Sequence, residues 1–180
     1  MHLGDAEALR EELGFDDMQD INDAISAAMN LATEVLSARI GTDVDHATVT
    51  DLFRVPRNAN ANFKLSRGFV DTDTVQLETF PTLEAAHEVG GVTAYESHPY
   101  VKGEEGTVLV PGLTPGTFLR ATYEAGFEVD ASYVDRYDLE VVPQWLQDAA
   151  KAQAQLLLAT SVLFQDSGNA ALADPKMLAR

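Results

Sequence analysis

The chain changes its hydrophobic period twice, and that order limits what it can fold into more than any motif does. From Asp5 to Ile40 apolar residues recur at three- and four-residue steps. From about Leu52 to Val129 short runs rich in β-branched and aromatic residues alternate with turn residues. From Pro143 to Phe164 the helical step returns. The first zone divides at Gly14-Phe15-Asp16-Asp17, where a glycine can close a short helix and an aspartate can cap the next. In the longer helix Ile21, Ala24, Ile25, Ala28, Ala32, Val35 and Leu36 form one apolar stripe that ends at Gly41.

The middle zone predicts strands over Phe63–Leu65, Val70–Phe80, Val92–Tyr95, Thr107–Val110 and Thr117–Tyr123. Lys102-Gly103-Glu104-Glu105-Gly106 reads as a hairpin turn, and Pro111 to Gly116 as a break in regular structure. The last helix opens at Pro143, a residue suited to a first helical position because it has no N–H to leave unpaired. The expected fold is therefore mainly α with a minor β region. It is a helical bundle of a short helix, a long helix and a long C-terminal helix, with inserted antiparallel β-hairpins or a small sheet and an extended C-terminal tail. Residues 1–165 form one domain, with helices over about 5–40 and 143–165 and a β-rich insertion over about 52–129; residues 166–180 form the tail.

The charge balance narrows the partners. Twenty-nine acids against twelve Lys and Arg give −17, a field that repels phosphate backbones and anionic membranes. The absence of cysteine removes disulfide frameworks, thiolate nucleophiles and zinc–thiolate sites. No apolar run approaches the ~20 residues a membrane helix needs, and the first residues lack a signal-peptide pattern, so the chain reads as soluble.

Motifs with chemistry are scarce. Asp43-Val44-Asp45-His46 could hold a divalent cation, but it follows a helix end and a glycine rather than a buried strand, and it reads as an exposed turn. Asp71-Thr72-Asp73-Thr74 lacks the glycine and distal glutamate of a calcium loop. His2, His46, His87 and His98 lie in unrelated contexts, none at the i, i+4 spacing of a helical metal site. No nucleophile elbow, phosphate loop or dinucleotide fingerprint is present. Neither metal catalysis nor a nucleotide cofactor has support in these motifs.

The succession of features is more specific than its parts. Leu65-Ser66-Arg67-Gly68-Phe69-Val70 leads into the strands. Gly106-Thr107-Val108-Leu109 precedes Thr122-Tyr123-Glu124-Ala125-Gly126-Phe127, and Val142-Pro143-Gln144-Trp145-Leu146-Gln147-Asp148-Ala149 opens the last helix. Over about residues 5–165 the chain resembles the head-tail connector, or adaptor, proteins of tailed bacteriophages. The resemblance implies a structural virion protein with no active site, made in the host bacterial cytoplasm and located in the virion neck. It implies a homo-oligomeric ring of about twelve copies between the portal and the tail terminator or another neck protein, through which DNA passes without specific binding. Carried onto this chain, the portal-facing residues are Leu172, Pro175, Met177, Leu178 and Arg180. The subunit contacts are Ile25, Met29, Leu36, Trp145, Leu156, Leu163 and Phe164. In such a ring Asp16, Asp17, Asp43 and Asp45 would face the lumen or its rim and repel DNA phosphates. The stretch from Thr82 to Pro99 is longer than the compact loop of small family members. Two alternatives stand beside this one: another neck or tail-completion subunit, and a small acidic ligand-binding domain of a salt-adapted organism.

Overall fold

A computed structural model describes residues 1–15, 21–57, 61–87, 93–94, 99–133 and 135–160. Among them are four helices, α1 (Ala6–Glu12), α2 (Asn22–Ile40), α3 (Leu83–His87) and α4 (Gln144–Thr160). The seven strands are β1 (Ala47–Arg54), β2 (Ala61–Lys64), β3 (Gln76–Phe80), β4 (Thr93–Ala94), β5 (Tyr100–Lys102), β6 (Thr107–Val110) and β7 (Phe118–Ala125). The chain parts into two compact units. One is made of Met1–Gly41 with the segment from Glu128 onward, the other of Thr42–Phe127.

The helical unit is built from α1, α2 and α4. Asp5 starts α1 by accepting the backbone N–H groups of Glu7 and Ala8 at 2.9 and 3.2 Å, which satisfies two donors that the first turn cannot pair. Gly41 ends α2 in the left-handed conformation, φ 69°, and donates its N–H to the carbonyl of Ser37. Leu9, Ile25, Ala28, Met29 and Ala32 pack with Ala154 and Leu158 in one core. The N-terminal strand of chain is tied in as well. His2 donates its N–H to Asp135 O and accepts from the N–H of Tyr137, while Leu3 N–H reaches the Thr33 hydroxyl. Pro143 stands one place before α4, and its carbonyl accepts from Gln147, so it caps the helix rather than opening it.

The β unit holds two antiparallel sheets, ordered β1-β7-β3-β4 and β2-β6-β5. β1 and β7 pair over their whole length, from Ala47 opposite Ala125 to Arg54 opposite Phe118. Their alternation places Leu119, Ala121, Tyr123 and Ala125 inward, where they meet Phe63, Val108 and Val110 of the second sheet in a single core. The Phe53 and Phe63 rings join the sheets with centroids 5.0 Å apart. The β5–β6 turn falls at Gly103–Gly106, where the sequence places it. The ends of the unit lie side by side. Phe127 N–H donates to Val44 O at 2.8 Å, Asp45 bridges Phe127, and Gly126 takes φ 89° against Asp45.

The expectation of a mainly helical bundle with a minor β region is overturned: this is a mixed α/β fold, with seven strands in two sheets among the described residues. β1 accounts for much of the difference, because it begins five residues before the expected strand-rich zone and supplies an entire edge. The strand expected over Val70–Phe80 is shorter, since Asp71 caps a 3-10 turn at Thr72–Thr74 and only Gln76–Phe80 is extended. Within the Thr82–Pro99 stretch, α3 and β4 are the described elements. The expected continuation of the last helix to 165, and the tail from 166, lie outside the described residues.

Candidate functional site

The helical unit contains a polar cleft of about 190 Å³, walled by α1, α2 and the 133–136 segment. Arg136 is its most constrained member. Its guanidinium lies 3.9 Å from the centroid of Tyr133, pairs with Asp130 at 2.8 Å and approaches Asp5 at 3.5 Å. Burial opposes its charge, but the hydrogen bond to Asp130 and the nearby Asp5 and Asp130 carboxylates more than offset this and hold its pKa above the ordinary value. Asp130 is correspondingly held below the usual carboxylate range by the hydrogen bond from Arg136. Arg10 crosses from α1 to α2, donating to Asn22 Oδ1 at 3.1 Å. The Nε atoms of Arg10 and Arg136 are both buried and have no hydrogen-bond acceptor among the described residues.

His2 closes one wall. It is 2% exposed, with Nδ1 2.6 Å from Gly4 O and Nε2 3.7 Å from Asp135. Burial pushes its pKa below the ordinary histidine value, so the ring is neutral at pH 7. Its pairing with Gly4 then makes Nδ1 the donor and leaves Nε2 the unprotonated nitrogen.

The polar residues of the β unit serve its architecture. Tyr123 O–H donates to Asp51 Oδ2 at 2.7 Å, and the N–H groups of Ser66 and Arg67 approach the same pair at 2.7 and 3.3 Å. Burial and the Asp51 carboxylate raise the Tyr123 pKa, with the Ser66 contact opposing them. Arg120 ties α3 to the sheet, donating to Glu78 at 2.6 Å and to Ala86 O at 3.1 Å while lying over the Phe80 ring. Such groups hold strands and loops together.

The sequence-predicted contact residues divide by burial. Ile25, Met29 and Leu36 are core residues of the helical unit, so the subunit-contact role assigned to them does not fall on them. The reason is the geometry of α2: Ile25 and Met29 pack in the core shared with α1 and α4, and Leu36 is buried further along the same helix. Trp145 and Leu156 are 49% and 51% exposed and stand on the outer side of α4. There Trp145, Ala149, Ala152, Leu156 and Ala159 follow one another at steps of four, three, four and three residues, which keeps them on one face. The buried set, Leu146, Ala150, Ala154 and Leu158, occupies the opposite face. α2 has exposed Ala27, Leu31 and Ala38 lying away from its covered stripe, with exposed Glu34 between Leu31 and Ala38 on the same side.

Asp43 and Asp45 are exposed at the start of the β unit. Asp43 is engaged there, pairing with Arg67 at 2.6 Å and accepting the N–H of Asp45 at 3.1 Å, and His46 lies 3.7 Å from Glu124. Asp16, Asp17, Leu163, Phe164, Leu172, Pro175, Met177, Leu178 and Arg180 lie outside the described residues. The residues that sequence reasoning missed are those of the cleft. Arg10 and Arg136 are separated by most of the chain, and only the insertion of the β unit between their segments hides their proximity.

Among the described residues no group of three His, Cys, Asp or Glu is placed to hold a metal ion, and no helix is long and apolar enough to cross a membrane. Searches against protein-family models, curated proteins and solved structures give no match to this chain.

Proposed function

We propose that this chain is a neck subunit of a tailed bacteriophage, an adaptor that assembles head to tail into a ring, joins portal to tail and lets DNA pass. The observation that carries the reading is the pair of outward apolar faces on α2 and α4. Each helix already buries a full stripe in its own unit; α4 presents a second, uncharged run of alanines around Trp145 and Leu156, and α2 presents Ala27, Leu31 and Ala38 on a face that Glu34 shares. The two faces are unlike, so a contact between them is heterologous, and such contacts close into a ring when the rotation divides the circle. The acidic balance supports the same reading, because carboxylates lining a channel keep DNA phosphates from adhering.

The subunit contact accordingly moves outward, to Leu31 on α2 and to Trp145 and Leu156 on α4. Negative-stain microscopy of the purified chain, alone and mixed with a portal ring, tests the proposal. Rings or portal-bound collars are expected; a strictly monomeric protein that ignores the portal overturns it.

A further inference from the structure

β1 is an edge strand whose outer side the β unit leaves open. Just beyond it Val55 N–H donates to Thr117 O at 2.8 Å, and at the far end of β7 the Glu124 carbonyl accepts from Asp71, on the side away from β1. Bonded places alternate along an antiparallel pair, so Ala47, Val49, Asp51 and Phe53 bond to β7, and the N–H and C=O groups of Thr48, Thr50, Leu52 and Arg54 point away from it. Among the described residues none of those outward groups has a hydrogen-bond partner. Burial agrees with an open flank. Leu119, Ala121, Tyr123 and Ala125 of β7 are buried, whereas Val49 and Phe53, which pack on the same core from β1, are only half-buried.

Strand edges are commonly blunted by shortness, proline, a bulge or lysine. The other described edges are short, with two residues in β4, four in β2 and three in β5. β1 runs for eight residues in unbroken register, without Pro, Gly or Lys. It is also its own complement. Two copies of β1 related by a two-fold axis at Thr50 run antiparallel, and even-numbered residues then face even-numbered ones, so open groups meet open groups. Thr50 meets Thr50, Thr48 meets Leu52, and half-buried Phe53 comes beside Ala47 of the second copy. Arg54 falls opposite His46, whose ring lies 3.7 Å from Glu124, so a cation of each chain meets an acidic place on the other. An axis at Asp51 would instead set the two Asp51 carboxylates against each other, which like charges directly opposite disfavour.

We propose that β1 pairs with β1 of a second copy through a two-fold axis at Thr50, joining two β1-β7-β3-β4 sheets into one continuous antiparallel sheet. The inference stands on the β unit alone and does not rest on the adaptor reading. It is tested on the intact protein by amide exchange and sedimentation velocity between about 10 μM and about 1 mM. The Thr48, Thr50 and Leu52 amides should become at least ~10-fold more protected as a dimer forms. Because the chain has no cysteine, Thr50→Cys adds a single thiol, and the Cα atoms of such a bonded pair lie about 5.5 Å apart, within disulfide reach. Mild oxidation should give a covalent dimer, and Asn62→Cys, also exposed but on β2, should not. Arg54→Glu should weaken the dimer about 10-fold, and adding Glu124→Arg should restore it. Leu156→Glu on α4 should leave it unchanged. A monomer across the whole range overturns the pairing, as does a dimer whose β1 amides exchange as fast as the monomer's or a Thr50→Cys chain that cross-links no faster than Asn62→Cys.

Discussion

His2 shows how a single buried ring makes a unit sensitive to pH. Its folded-state pKa lies below the ordinary histidine value of about 6.5, so the native state favours the neutral form. The stability it confers is complete above about pH 6.5 and is lost as pH falls from there toward the folded pKa, because the unfolded chain takes up the proton first. Asp135 offsets part of this, and Arg136 works against the charged ring. Urea unfolding followed between pH 7.5 and 5 should show the midpoint falling, and His2→Gln should flatten the slope. Asp130 has the opposite kind of shift and acts elsewhere: its lowered pKa contributes stability that disappears only below about pH 4. A second residue-scale test concerns Gly126. Its φ of 89° is strained for any side chain, and an added Cβ would lie 2.2 Å from the Asp45 carbonyl oxygen. Gly126→Ala should therefore lower stability by roughly 2–3 kcal/mol, measured by denaturant unfolding.

At the scale of elements, α4 separates packing from assembly. Leu158→Ala removes a buried side chain from the helical core and should cost about 2–5 kcal/mol in unfolding free energy. Leu156→Glu, two residues away on the exposed side, should change stability by no more than about 0.5 kcal/mol and abolish rings seen by microscopy or sedimentation. The helices were legible from sequence because their stripes are long and their stops, Gly14 and Gly41, adopt the left-handed conformation those residues permit. β1 was not, and Asp51 is why. It occupies an inward-facing place between Val49 and Phe53, breaking the apolar alternation that marks a half-buried strand. Its partners, the Tyr123 hydroxyl and the Ser66 N–H, come from distant parts of the chain and leave no local trace. The cleft was illegible for the same reason: a lone Arg10 and a lone Arg136 have no spacing to read.

At the scale of the whole molecule, charge and apolar surface act in opposite directions. Copies carrying −17 repel one another, and the exposed apolar runs on α2, which Glu34 shares, and on α4 are the places where they can meet. Assembly by those faces should therefore strengthen as salt shortens the Debye length from about 14 Å at 50 mM to about 4 Å at 0.5 M. Sedimentation velocity across that range reads the effect, and dissociation at high salt would point instead to ion pairs between subunits.

The neighbouring ends of the β unit bear on how the chain folds. α2 and α4 belong to one core, yet residues 42 to 127 separate them, and closing so long a loop costs roughly 4 kcal/mol of chain entropy. Once β1 has paired with β7 and Phe127 has met Val44, that loop is already closed, and the helices are tethered as if by a short linker. The strands thus act as a clasp whose closure lets α4 find α2, so slowing the sheet slows the helices with it.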